Sequence, residues 1–196
     1  MENKIKNFLS TKFLAKDIKF FESLESTQLT AKKMAEERVE NGTIVITDNQ
    51  KKGIGTHDRK WYSEKGKNIL FTLIIYPKCN LKELNTITVD IAKCLIYSIE
   101  KIYNIKLDIK SPNDIIYNKK KLGGILTQIV TSGEEIKYLL IGIGINVNQE
   151  KFPDEIKDIA TSLKSEFGMD FSREKIISEF CNIFEEYCLN KNIIWI

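Results

Sequence analysis

Among 196 residues there is a single histidine, His57, and the four cysteines, Cys79, Cys94, Cys181 and Cys188, form no C-x-x-C pair. A structural zinc site needs several nitrogen or sulfur ligands at short spacing, and a Ser-His pair needs a histidine beside the nucleophile. Neither can be assembled around His57, which is read as an exposed loop residue without a catalytic role. Scattered thiols fit a reduced, cytoplasmic setting better than a disulfide framework. The opening MENKIKNFLS carries charges where a signal peptide needs an apolar core, and no apolar run approaches the ~20 residues of a membrane span. Neither sign of charge dominates: 30 basic against 27 acidic residues leave +3, too balanced for a dedicated nucleic-acid binder. Repeats, linkers and low-complexity segments are also missing.

What is present is the composition of a folded domain, 42% hydrophobic and 29% charged, long enough for one sizeable core. Residues 18–21 read as a short strand. Ser26 and Thr27 offer a helix N-cap before QLTAKKMAEERVE, which is expected to stop at Asn41-Gly42. TIVIT at 43–47 is strand-like, and NILFTLIIY at 68–76 is nearly continuously apolar, too short for a helix and so a well-buried strand. Leu84, Ile87, Ile91, Leu95, Ile99 and Ile102 recur at three- and four-residue steps and predict a long helix with one buried face. Residues 107–109 open a second strand group. Residues 114–117 and 122–130 flank NKKK as the arms of a hairpin, and 136–147 follows the turn signal Thr131-Ser132-Gly133. A last helix over about 172–189 turns Ile176, Phe180, Ile183, Phe184 and Tyr187 inward, with Cys181 and Cys188 on one face. Strands grouped with helices between them indicate an α+β fold, a mixed, largely antiparallel sheet packed with helices. The charged N-terminal segment can hold a short helix but not a helix-turn-helix domain with its own core. Neither DNA nor membrane is an expected partner.

Residue types that carry chemistry gather in four stretches: ESTQ at 25–28, QKKGIGTHDRKW at 50–61, KSPNDIIYNKKKLGGIL at 110–126 and GIGINVN at 142–148. The G-x-G of Gly53 and Gly55 is weak alone, because the third position of a dinucleotide fingerprint falls on Asp58 and no Walker Lys-Ser/Thr pair follows. Its lysines suggest a small anion. Pro112 stiffens the turn that presents Asn113 and Asp114. Gly123 and Gly124 remove side chains where a strand begins, so a flat ligand can approach the backbone. Lys121 beside them suits a carboxylate or phosphate, although an exposed hairpin lysine remains an equal reading; Lys119 and Lys120 read as solvated turn residues. Trp61 can be core, and Gly142 and Gly144 can merely relieve crowding.

These blocks, in this order, resemble the catalytic domain of biotin-protein ligases. The resemblance rests on Ser26-Thr27-Gln28, on Gln50, Gly53, Ile54, Gly55, Arg59, Lys60 and Trp61, on Lys110-Ser111-Pro112-Asn113-Asp114, on Lys121-Leu122-Gly123-Gly124-Ile125-Leu126 and on Gly144-Ile145-Asn146. Ala160-Thr161-Ser162-Leu163 adds a further block. It implies that biotin attacks ATP to give biotinyl-5'-adenylate, with Mg2+ accompanying the triphosphate, and that a lysine of a biotin carboxyl carrier protein then takes the biotinyl group. Ser26, Thr27, Gln28, Gln50, Gly53, Lys121, Gly124 and Leu126 would bind biotin. Gly55, Thr56, Arg59, Trp61, Asn113, Lys121, Gly144 and Asn146 would bind ATP. Lys121 would neutralise the carboxylate and then the adenylate phosphate, Arg59 would hold the triphosphate, Asn113 and Asn146 would contact phosphates or the metal, and Asp114 would accept the proton of the incoming lysine. The resemblance further implies residues 1–196 as one catalytic domain, without the family's N-terminal helix-turn-helix domain or its small C-terminal β-barrel, acting as a ligase and not a repressor, with homodimerisation.

Ile54 and Thr56 stand where the family has loop arginines, Asp58 where a small residue is common, and Ser111 where tryptophan is usual. These departures bear on how tightly an adenylate is held. Two rivals stay open: a lipoate- or octanoate-type ligase of the same fold, and a biotin- or nucleotide-binding module without turnover.

Overall fold

Strand β3 (Ile69–Ile75) is buried along its whole length, which is why its sequence is a run of apolar residues instead of an alternation. It pairs antiparallel with β2 (Ile44–Thr47) on one side and β7 (Glu135–Ile145) on the other. β1 (Ile18–Phe21) adds to β2 in parallel. β6 (Lys120–Ser132), β5 (Asp114–Tyr117) and β4 (Asp108–Lys110) extend the sheet beyond β7, all antiparallel. The order is β1-β2-β3-β7-β6-β5-β4, the mixed, largely antiparallel sheet expected from the sequence. This computed structural model describes residues 1–56 and 59–193, so the expectations for His57 and Asp58 lie outside the described residues.

One face of the sheet carries the main core. Phe71, Leu73, Ile141 and Ile143 meet Ile91, Leu95 and Ile99 of α3 (Ile87–Tyr103) and Phe180 and Phe184 of α5 (Arg173–Asn190), which follows the short α4 (Leu163–Phe167). Cys181 and Cys188 are both buried on α5, as their spacing suggested. The opposite face is covered by α2 (Thr27–Glu36), whose Ala31 and Ala35 pack against Val45, Ile74, Tyr138 and Leu140. Beyond the N-terminus of α2 no helix among the described residues covers that face, and its strand positions include Thr72, Gly142, Gly144 and Gly124. Among the described residues no helix is long and apolar enough to cross a membrane.

Three boundaries differ from the sequence reading. Helix α2 ends at Glu36 instead of reaching Asn41-Gly42. Arg38 adopts a left-handed φ of 60°, its amide bonds Ala35 O, and the amide of Val39 bonds Met34 O. Val39 and Met34 both pack against the same small core, so burying Val39 is what turns the chain back. Leu84 lies outside α3, in a 3-10 turn (Leu81–Leu84) closed by an Asn80/Glu83 capping box. The β5–β6 turn is shorter than NKKK: Asn118 and Lys119 alone have positive φ (47° and 67°), as a two-residue hairpin turn requires, and Lys120 already belongs to β6.

The N-terminal segment, with its short helix α1 (Glu2–Lys6), is strapped to α5. The buried carboxylate of Glu185 accepts the amides of Lys12, Phe13 and Leu14 at 2.5, 3.0 and 2.9 Å. Asn182 Oδ1 takes the Ser10 amide, and Ser178 donates to Ile5 O. Glu185→Ala leaves these donors without an acceptor and is expected to cost at least about 2 kcal/mol. Urea unfolding with an unchanged midpoint would show that the strap contributes nothing.

Candidate functional site

The uncovered part of the sheet face becomes a cleft because three local structures converge there. The first is the start of α2. Ser26 occupies the N-cap position in extended conformation but makes no side-chain capping bond, which corrects the expected cap. The orphan amide of Thr27 donates instead to Gln50 Oε1 at 2.8 Å, and the Thr27 hydroxyl lies 3.1 Å from the same oxygen. Gln50 thus joins the 50–61 loop to the helix start.

The second is that loop. Trp61 donates its amide to Gly53 O (2.9 Å), Gly55 donates to Arg59 O (2.7 Å), and Ile54 bridges Lys60 in antiparallel fashion. The glycine spacing therefore makes a pinched turn among the described residues. Gly53 is buried against the end of this turn, where a Cβ would stand 2.6 Å from Trp61 O, and it is not among the residues lining the two cavities described below. The Arg59 side chain folds back onto Thr56 O and Oγ1 at 3.2 and 3.3 Å.

The third is a β-bulge. Ile115 pairs with Gly123 but Ile116 pairs with Lys121, leaving Leu122 as the extra residue. In a regular strand Lys121 and Gly124 would face opposite sides; the bulge turns Lys121 onto the face of Gly124. A Cβ built on Gly124 would stand 3.5 Å from Lys121 Nζ. The bulge also sends Leu122 into the core, where it is fully buried. Lys121 Nζ is 2.6 Å from Asp114 Oδ1 and 5.8 Å from the centre of the Trp61 ring. Its backbone bonds the 159–161 segment, accepting from Thr161 N and donating to Ile159 O, which brings the Ala160-Thr161-Ser162-Leu163 block to the site.

Two adjoining cavities result. The first, about 460 Å³ including its mouth, is lined at one end by Ser26, Thr27, Gln28 and Gln50 and along its floor by Gly124, Leu126, Gly142 and Gly144. The second, about 690 Å³, is lined by Arg59, Lys60, Tyr62, Asn146, Ile156 and Ile159. Gly55, Thr56, Trp61 and Lys121 border both. The floor glycines do relieve crowding, and the crowding comes from the site itself. A Cβ at Gly144 would fall 2.8 Å from Trp61 Cε2, and one at Gly142 would fall 2.6 Å from Gln28 Oε1.

Most sequence-predicted residues are therefore brought together, with some redistribution. Asn113 and Gly144, expected on the ATP side, line the first cavity; Asn113 Nδ2 donates to Ile125 O at 3.3 Å. Asp114 lines neither cavity and faces the site only through its ion pair with Lys121. Asn146 is buried, its Nδ2 donates to Thr161 O at 3.0 Å, and its Oδ1 has no protein partner among the described residues. Since Nδ2 faces a carbonyl, the unpartnered Oδ1 makes Asn146 an acceptor in the lining of the second cavity, suited to a cation or a hydroxyl. Gln28 Nε2 and Trp61 Nε1 are likewise buried and unpartnered. The sequence reading missed Thr72, whose hydroxyl lies 2.9 Å from Thr27 Oγ1 and 3.2 Å from Gln28 Oε1. Its signal was a lone polar residue inside an apolar strand. Among the described residues no cluster of three or more His, Cys, Asp or Glu is placed to hold a metal ion.

Residues 20–146 match the model of the biotin/lipoate A/B protein ligase family. The bifunctional ligase/repressor BirA of Bacillus subtilis (strain 168) is 37% identical over 187 residues, 94% of this chain. The chain spans 58% of that relative's length. Human biotin--protein ligase is 33% identical over 163 residues, covering 78% of this chain and 22% of the human one. A biotin protein ligase from Aquifex aeolicus, solved in complex with biotin and ATP, superposes with a TM-score of 0.75 at 30% identity, over 91% of this chain and 72% of that one. On sequence and on fold alike, the chain belongs to the biotin/lipoate A/B protein ligase family.

Proposed function

We propose that the protein is an ATP-dependent biotin-protein ligase. The observation that carries the reading is the pair of cavities meeting at Lys121 and Trp61: one ends in a closed polar cluster, the other carries Arg59 and Lys60. Such a junction suits a reaction that joins a carboxylate to a phosphate. The ureido end of biotin has donors and an acceptor, which Ser26, Thr27, Gln28 and Gln50 can satisfy in a closed pocket. A lipoyl or octanoyl chain has no use for that cluster, and this disfavours the lipoate-type rival.

In the first step a carboxylate oxygen of biotin attacks the α-phosphorus of ATP, the P–O bond to the β-phosphate breaks, and pyrophosphate leaves. Lys121 faces the oxygens that gather charge, and Arg59, released from Thr56, holds the departing phosphates. In the second step a lysine amine of a biotin carboxyl carrier protein attacks the acyl carbon, AMP leaves with its phosphate, and the amine's proton goes to Asp114 once Lys121 has turned to the phosphate. Mg2+ would travel with the triphosphate, with Asn146 Oδ1 as the oxygen this chain adds, and would supply charge neutralisation there. Four unpaired cysteines suit a cytoplasmic compartment.

Pyrophosphate exchange into ATP, run in parallel with biotin, lipoate and octanoate, tests the reading. Exchange is expected with biotin and at background with the other two. Equal exchange with octanoate would move the protein to the lipoate side of the family.

A further inference from the structure

Thr72 lies in the middle of β3, fully buried, and it is not among the residues lining either cavity. Its neighbours along the strand, Leu70, Phe71, Leu73 and Ile74, are apolar and buried, so a hydroxyl here is out of keeping with its strand. Such a group is costly unless it is bonded, and its contacts are the Thr27 hydroxyl and the Gln28 amide, two groups that do line the first cavity.

The protons of this cluster can be counted. The Thr27 amide can only donate, so the group facing it is the carbonyl oxygen of Gln50. Thr72 has one proton and two neighbours to give it to. If the proton goes to Thr27 Oγ1, the Thr27 hydroxyl is free to donate to Gln50 Oε1. The Gln28 amide then meets a lone pair of Thr72, is held by its NH2 group, and leaves its carbonyl to the cavity. If the proton goes to Gln28, the carbonyl is held and the NH2 is left, buried and without a protein partner. Gly142 permits the close approach, since a Cβ there would stand 2.6 Å from the Gln28 side chain.

Resting on the biotin reading above, we infer that Thr72 is a positioning and specificity residue: its hydroxyl orients Thr27 and Gln28 and selects whether the closed end of the cavity offers the ligand head an acceptor or a donor. The ligand class it serves is one whose head carries both, and an acyl chain with an apolar end gains nothing from it.

The test compares the hydroxyl with the shape of the side chain. Thr72→Val keeps the shape and removes the hydroxyl; Thr72→Ser keeps the hydroxyl and removes a methyl. Calorimetry with biotin is expected to show Kd raised about tenfold or more for Thr72→Val and within about threefold of wild type for Thr72→Ser, with the Kd for a non-hydrolysable ATP analogue unchanged in both. A packing role would give the reverse order, because serine leaves a void and valine does not. Should Thr72→Val fail to fold, Thr72→Ala is compared with Thr72→Ser, both lacking the γ-methyl and differing in the hydroxyl. Wild type that binds biotin, with Thr72→Val (or Thr72→Ala) binding equally well or Thr72→Ser as weakened as its partner, overturns the inference alone. Wild type that binds no biotin overturns the functional reading and the inference with it.

Discussion

Lys121→Ala is expected to lower biotin-dependent adenylate formation by about a thousandfold or more while the fold persists. The size follows from its place: a cation at the junction of the two cavities faces charge that develops only during the reaction, and removing one such group costs about 10²–10³ even when the group is a neutral donor. The persistence of the fold follows from the backbone. The amide and carbonyl of Lys121 make the bonds to the 159–161 segment, and these survive truncation. The side chain is 34% exposed, so its ion pair with Asp114 contributes at most about 1 kcal/mol to stability. Near-normal pyrophosphate exchange in a folded variant would remove Lys121 from the chemistry and leave it as a partner of Asp114.

Gly144→Val is the second large effect. The first Cβ atom at this position would lie 2.8 and 2.9 Å from Trp61 Cε2 and Cζ2, and valine adds two further methyls. The indole must leave the floor of the first cavity, and because Trp61 borders both cavities its departure disturbs both ligands at once. A displacement of this kind is expected to cost about a hundredfold or more in kcat/KM for biotin. The same variant with Trp61→Ala should recover part of the loss, since the clash is gone. A Gly144→Val protein as active as wild type would show that the tryptophan can move freely and is not a fixed wall.

The parts of this architecture that could be read from the sequence are those written in short-range patterns. The 3.6-residue repeat of Ile87, Ile91, Leu95 and Ile99 gave α3 and its face, and the apolar run at 69–75 gave a buried central strand. The site blocks were visible because each places glycine or small polar residues at an element end. What escaped depends on pairs far apart in the chain. The cap of α2 comes from Gln50, 23 residues beyond Thr27, and no capping pattern of neighbouring residues announces it. The early end of α2 depends on Val39 finding the small core beneath Met34. That Lys121 shares a face with Gly124 follows from one unpaired residue in the β5–β6 register, which alternation cannot reveal. Thr72 escaped because its partners lie on another element, 44 and 45 residues away.

The most direct measurement of the central claim, that the two cavities join a carboxylate to the α-phosphate of ATP at Lys121, is to incubate the purified protein with biotin and ATP without any carrier and identify the protein-bound product by mass spectrometry. Biotinyl-5'-adenylate is expected to be retained on the protein, with pyrophosphate released in equal amount, and neither product is expected without biotin. Release of ADP and phosphate, or the same products whether or not biotin is present, would contradict it.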